Sequence, residues 1–248
     1  MKTFSIILFF FFIFEIVSSK NFLSKDFKVG NKARKEYLKY SKISGSELKK
    51  YINNKQVYMI DTRDMTISAI GYIPNSILLP VTMYSWISSV IPDASDIIII
   101  TDEENYQNAI DSLIELNKYH LLGYVIYNEI NISSSFFIQE VEYDPNTKES
   151  ITQHVANNEN IIDIREISEF KETGVIKEAL LIPLSTFQTD YNKIPNEGNT
   201  FIFCKSGMRA VVGMTFAKRA GYTNRMVIMK GGMNKAIQEG YPLVPYSE

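Results

Sequence analysis

An α/β architecture in two similar domains, each a mainly parallel sheet with helices on both faces, is what this sequence predicts, and three observations carry the prediction. Short apolar runs alternate with longer helix-like stretches along the chain, and parallel strands need such crossover segments to return to the same end of a sheet. The apolar runs at 97–100 and 200–203 are hydrophobic at every position rather than every second one, as in strands covered on both faces. The chain also repeats itself. Asp61-Thr62-Arg63 matches Asp163-Ile164-Arg165, and the stretch from Gly71 to Pro80 matches that from Gly174 to Pro183, roughly a hundred residues later. A period that long fits a duplicated domain rather than a solenoid.

At the amino end, Lys2, an apolar core over 4–14 and the small residues Val17-Ser18-Ser19 read as a signal peptide over 1–19. Its apolar core is shorter than the ~20 residues that span a bilayer. The expectation is therefore a cleaved secretory signal and no stable membrane span, the alternative being an anchor formed by an uncleaved signal. Residues 20–40 form a basic linker or helix containing Lys25, Lys28, Lys32, Arg34 and Lys35. No aromatic platform alternates with these cations, so they do not point to nucleic acid.

The first domain is expected over 41–142. It holds a helix at 44–53 started by Ser44-Gly45-Ser46, a strand at 56–60, a helix at 81–90, a buried strand at 97–100, a helix at 105–118 and an apolar run at 124–127. Asp144-Pro145-Asn146, polar and turn-prone, is the candidate inter-domain linker. The second domain, over 143–248, repeats the pattern with segments at 150–155, 160–164, 184–188, 200–203, 210–220, 226–229 and 232–239.

Composition excludes little but excludes it clearly. Of the 248 residues 45% are apolar and 22% charged, with a formal net charge of −2, so no global field draws nucleic acid or anionic lipid. A single cysteine allows no disulfide within the chain. Asn131-Ile132-Ser133 is an N-glycosylation acceptor pattern, compatible with secretion.

That one cysteine heads the loop Cys204-Lys205-Ser206-Gly207-Met208-Arg209-Ala210, between the 200–203 strand and the 210–220 helix. In an open α/β sheet, ligand sites lie at the carboxyl ends of strands. Loop amides and a helix N-terminus aim positive charge at the sulfur there and favour thiolate, Gly207 gives the freedom a tight cradle needs, and Lys205 and Arg209 add full cations. Cys204 is thus the candidate nucleophile, with Lys205, Ser206, Gly207, Met208 and Arg209 as the substrate-binding cradle. The repeat places Thr101 opposite Cys204, followed by Asp102, Glu103 and Glu104 instead of cations, so the first domain is expected to be inactive. His120 and His154 lack ligand partners at useful spacing and read as structural, so no metal site is expected. Asp163, Arg165 and Glu169 read as a scaffold that ties loops together, because the first copy keeps Asp61 and Arg63 without a nucleophile.

Asp163-x-Arg165-Glu166-x-x-Glu169-Phe170, Gly174-x-Ile176-x-x-Ala179 with Ile182-Pro183, Cys204-x-x-Gly207-x-Arg209-Ala210, and Gly231-Gly232 followed by Gly240-Tyr241-Pro242 together resemble the rhodanese sulfurtransferases, in their tandem form with an inactive first and an active second domain. The resemblance covers 149–244, with a weaker copy over 43–129. It implies transfer of sulfane sulfur through a Cys204 persulfide, from a small-molecule donor such as thiosulfate or a persulfide to a thiol or cyanide, without metal or organic cofactor. The Arg209 ending resembles single-domain rhodaneses more than mercaptopyruvate enzymes, and Ile237 stands where many members carry Trp. Two rivals remain open: a Cys-based phosphatase or arsenate reductase, whose Cys and Arg have five residues between them rather than four, and a sulfur carrier or redox sensor without turnover.

Overall fold

The computed structural model describes residues 40–130 and 139–247. The predicted signal peptide, the basic linker up to residue 39 and the Asn131 acceptor lie outside the described residues. The first sheet contains β1 (Val57–Asp61), β2 (Ser76–Leu78), β3 (Asp96–Thr101) and β4 (His120–Ile126), all parallel, in the order β2-β1-β3-β4. The second contains β5 (Tyr143–Asp144), β6 (Asn160–Asp163), β7 (Leu180–Leu181), β8 (Thr200–Phe203) and β9 (Met226–Met229), also parallel, in the order β5-β9-β8-β6-β7. Read from its β7 end, the second sheet has the strand order of the first with β5 added beyond β9. Both belong to one compact unit, Tyr40–Glu248.

Burial on both faces explains why the strands are apolar throughout. In β3, Ile97 and Ile99 face a large core shared by the two halves, while Ile98 and Ile100 pack with Leu48 of α1 (Gly45–Ile52) on the outer face. In β8, Phe201 and Phe203 enter an outer core with Ile151 of α4 (Lys148–Ala156), and Ile202 points into the shared core. The same alternation sends Cys204 to that shared side.

The predicted helices form, with local differences. Ser44 caps α1, accepting from Glu47 N while Glu47 accepts from Ser44 N, as the Ser-x-x-Glu spacing requires. The 81–90 stretch winds as a 3-10 helix, Val81–Ser89. β-branched Val81, Thr82 and Ile87 and the short polar Ser85, Ser88 and Ser89 weaken α propensity, and the tighter coil results. A short helix α2 (Met65–Ser68), capped by Asp64, was not expected; α3 (Tyr106–Glu115) matches its expectation. The reading of Asp144-Pro145-Asn146 as a linker is corrected. Tyr143 and Asp144 pair with Ile228 and Met229 as an edge strand, and Asn146 is buried. Its polarity serves internal hydrogen bonds, described below, rather than solvent.

The remaining helices are α5 (Ile167–Thr173), α6 (Phe187–Asp190), α7 (Met208–Ala220) and α8 (Gly232–Gln238). Helix α7 is buried almost all round, from Ala210 through Ala217. One side rests on its own sheet; another closes the β2 edge of the first sheet, where Leu78 N donates to Thr215 Oγ1 at 3.2 Å. At its far end, Arg219 donates to the carbonyls of Lys55 and Val57 and lies 4.2 Å over the Tyr58 ring. A helix covered on every side needs apolar residues on every side, which is why 210–217 shows no polar stripe.

Candidate active site

The site grows from the carboxyl end of β8. Cys204 is fully buried, and its Sγ accepts a hydrogen bond from Gly207 N at 3.2 Å. To deliver that amide the chain turns back through Gly207 at φ 104°, a left-handed conformation that costs other residues ~1–2 kcal/mol, and α7 starts at once. The positive end of a helix of 13 residues thereby adjoins the sulfur.

A second helix holds the loop from below. Met233 N and Asn234 N, at the start of α8, donate to Cys204 O and Lys205 O at 2.8 and 3.0 Å. This approach is close enough that a Cβ on Gly232 would lie 2.1 Å from Cys204 O and 2.9 Å from Lys205 C. Asn146 Nδ2 pins the same turn, donating to Gly232 O at 2.8 Å and Lys230 O at 3.2 Å.

The five predicted cradle residues separate by position. Lys205 and Ser206 are exposed, Met208 is 41% exposed, and Gly207 is buried against the sulfur. Arg209 is engaged elsewhere than expected. Its Nη1 and Nη2 donate to Glu169 Oε2 and Oε1, both at 2.7 Å, and its guanidinium carbon lies 5.1 Å from the centre of the Trp86 ring. Burial works against the Arg209 charge, but the bond to Glu169 and the charges of Cys204 and Glu166 outweigh it and raise its pKa. Burial likewise pushes the Glu169 carboxyl up, and Arg209 with the Glu166 amide reverses this and holds it below the usual carboxylate range. Glu169 thus balances the Arg209 charge, and the paired side chain braces the loop.

Glu169, grouped from the sequence with the Asp163–Arg165 scaffold, joins it to the loop: its carbonyl accepts from Arg165 Nη1 at 3.4 Å while its carboxylate holds Arg209. Arg165 is buried, binds both carboxylate oxygens of Asp163 and donates to Gly174 O at 2.9 Å. Arg63 repeats this in the first half, with Asp61 and Gly71 O at 2.8 Å. Those pairs are scaffold, and Glu169 ties the Asp163–Arg165 pair to the Cys204 loop. Neither Glu169 nor Trp86 carried a local signal toward Arg209, because one is 40 residues away and the other lies in the opposite half.

The matching end of β3 is chemically different. Asp61 pairs with Ile100 as Asp163 pairs with Phe203, and Thr62 N donates to Ile100 O as Ile164 N does to Phe203 O. Thr101 therefore occupies the position of Cys204. Asp102 accepts from Asn105 N at 2.8 Å, while Glu103 and Glu104 are exposed, as in a solvated acidic helix start. His154 is buried between Glu159 and Asp144 at 2.7 and 3.1 Å and stacks on Phe201, whereas His120 is half exposed beside Asp96. Among the described residues no group of His, Cys, Asp and Glu is arranged to hold a metal ion, and no helix is long and apolar enough to cross a membrane.

Residues 147–239, which contain the Cys204 loop, match the rhodanese-like domain. Over 98 residues the chain is 30% identical to a sulfurtransferase of Allochromatium vinosum, covering 39% of this chain and 90% of that protein. Over 92 residues it is 34% identical to a rhodanese domain-containing protein of Drosophila melanogaster, covering 32% of this chain and 82% of the relative. A solved rhodanese-related protein of Thermoplasma volcanium superimposes with a TM-score of 0.37 at 23% identity, over 42% of this chain and 100% of the other. Through its second half, the chain belongs to the rhodanese-like family. Sulfur transfer is the general chemistry that this relationship supports.

Proposed function

We propose that the protein is a sulfurtransferase that carries sulfane sulfur on Cys204, taking it from thiosulfate or a persulfide and passing it to cyanide or a thiol. The observation that carries this reading is the Cys204 thiol at the end of β8, held by the Gly207 amide beside the α7 N-terminus. In the first step the Cys204 thiolate attacks the outer sulfur of thiosulfate. A Cys204–sulfur bond forms, the sulfur–sulfur bond of thiosulfate breaks, and sulfite leaves with the electron pair. In the second step the acceptor takes the outer sulfur and Cys204 leaves as thiolate, which gives ping-pong kinetics.

Cys204 is buried, so the donor's outer sulfur has to enter the cradle to meet Sγ. The transferred atom then sits ~2 Å from Sγ, at disulfide-like bond length. Loop amides and the helix terminus stabilise negative charge on that atom without needing a free cation. The half over 41–142, with Thr101 in place of the nucleophile, takes no part in the covalent steps.

The test is the mass of the protein after incubation with thiosulfate. Wild type gains one sulfur atom and releases sulfite, Cys204→Ser gains none, and cyanide or a thiol removes the added mass. Absence of the gain in folded wild type, or its presence in Cys204→Ser, overturns the proposal; a gain that no acceptor removes reduces it to a sulfur carrier.

A further inference from the structure

A small cavity of about 90 Å³ adjoins the Cys204 loop, and both halves of the molecule build it. Met65 and Thr66 come from α2 in the first half, Met208 and Val211 from the first turn of α7, Ile228 from β9 and Tyr143 from β5. Gly207 lies in the same wall, and its amide is the one that meets Sγ, so the cavity begins one peptide group from the thiol. Its buried side chains, Met65, Val211 and Ile228, are apolar, and its polar members, Thr66, Ser206 and Lys230, are exposed. Close by in sequence, Ile67 and Ile70 are 56% and 72% exposed.

Such a wall offers a compact dianion one side-chain cation, the exposed Lys230. Water against the exposed Met208 and Tyr143 side chains, over a floor of buried Met65, Val211 and Ile228, is released when a hydrocarbon group replaces it. Arg209, the cation nearest the loop's end, is already matched by Glu169.

We infer that this cavity receives the hydrocarbon arm of a small alkyl thiol acceptor, so that the half without a nucleophile sets acceptor specificity. The inference rests on the sulfur-transfer reading above. The alkyl thiolate sulfur attacks the outer sulfur of the Cys204 persulfide, and the new sulfur–sulfur bond forms as the bond to Cys204 breaks. Cys204 departs as thiolate and the product is an alkyl persulfide, with no external oxidant or reductant. A volume near 90 Å³ admits a chain of a few carbons beyond the reacting sulfur.

The experiment loads the full chain with thiosulfate and measures kcat/KM for ethanethiol, 1-propanethiol, 1-butanethiol and 3-mercapto-1-propanol, the hydroxyl isostere of the last. Each added methylene is expected to raise kcat/KM about fourfold until the cavity is full, the worth of one buried CH2. The hydroxyl isostere falls at least tenfold below 1-butanethiol. Thr66→Glu, at an exposed position, flattens the series. A flat series in wild type, or an unchanged slope in Thr66→Glu, overturns the inference while leaving sulfur transfer standing. If Cys204 takes up no sulfur, the functional reading fails first, and calorimetry of 1-butanethiol with Cys204→Ser judges the cavity separately. Saturable binding that Thr66→Glu abolishes supports the cavity's role; its absence overturns it.

Discussion

Replacing Gly232 by alanine tests how tightly the candidate site is built. Two costs are visible. The residue sits at φ +57°, where an L side chain costs ~1–2 kcal/mol. The new methyl would also stand 2.1 Å from Cys204 O and 2.9 Å from Lys205 C and O, all backbone atoms that cannot swing aside. Relief requires α8 to withdraw from the loop, straining the bonds from Met233 N and Asn234 N. Overpacking of this kind costs ~1–3 kcal/mol and each weakened hydrogen bond ~1 kcal/mol, for a total, with the conformational cost, of about 4–7 kcal/mol. In a domain of about 200 residues that lowers Tm by roughly 15 °C. Gly240→Ala is the control, because Gly240 has φ +69° and its Cβ would meet nothing within 4 Å. It bears only the conformational cost, about 2–8 °C. Calorimetry supplies both Tm values, and mass spectrometry the sulfur taken up by Cys204. If the two alanine variants melt within about 2 °C of each other, and Gly232→Ala loads sulfur like wild type, the loop is not held in the way argued.

Glu169→Gln keeps the shape of the Arg209 partner and removes its charge; with side chains only 17% and 11% exposed, the loss is expected to be about 2–3 kcal/mol near neutral pH. Arg209 holds the Glu169 carboxyl below the usual carboxylate range in the folded protein, so its contribution is complete above the unfolded carboxylate pKa and is lost as pH falls through the folded one. Urea titrations should show the gap between wild type and Glu169→Gln closing as pH drops below about 4.5, and a gap constant with pH removes the ion pair from the account. Thr215→Val deletes the acceptor for Leu78 N at the junction of the two halves, and an unpaired buried amide costs ~1–3 kcal/mol in the same titration. A neutral result would mean that the β2 edge is not fixed there.

What the sequence made legible was local. The strands at 97–100 and 200–203 announced themselves because burial on both faces leaves no polar position, and the Cys204 loop because its nucleophile, glycine and cation are neighbours in the chain. The Asp163–Arg165 pair was legible as scaffold for the same reason, its partners being two residues apart. Contacts made by folding were not. Arg209 reads as an open cation until α5 brings Glu169 against it, and Trp86 has no sequence relation to either. Asn146 fails in the opposite direction. Asp-Pro-Asn has the composition of a solvent-exposed linker, yet its amide side chain is spent on the Gly231–Gly232 turn.

Those nonlocal contacts bear on why a half with Thr101 at the strand end accompanies one with Cys204. The first half supplies three things to the second: the β2 edge that covers α7, Trp86 over the Arg209 guanidinium, and Met65 with Thr66 in the cavity wall. Each removes water from a feature that needs its absence. Without the β2 edge, α7 would present part of its all-round apolar surface to solvent, and the helix whose N-terminus addresses Cys204 would lose packing on one side. Without Trp86, the Arg209–Glu169 pair would sit in a higher dielectric, where charges at that separation attract each other several times less strongly. None of these contributions requires a nucleophile at residue 101. The acidic Asp102, Glu103 and Glu104 can therefore replace a cationic cradle at the first strand end without cost to the second, because what the first half lends the site is exclusion of water.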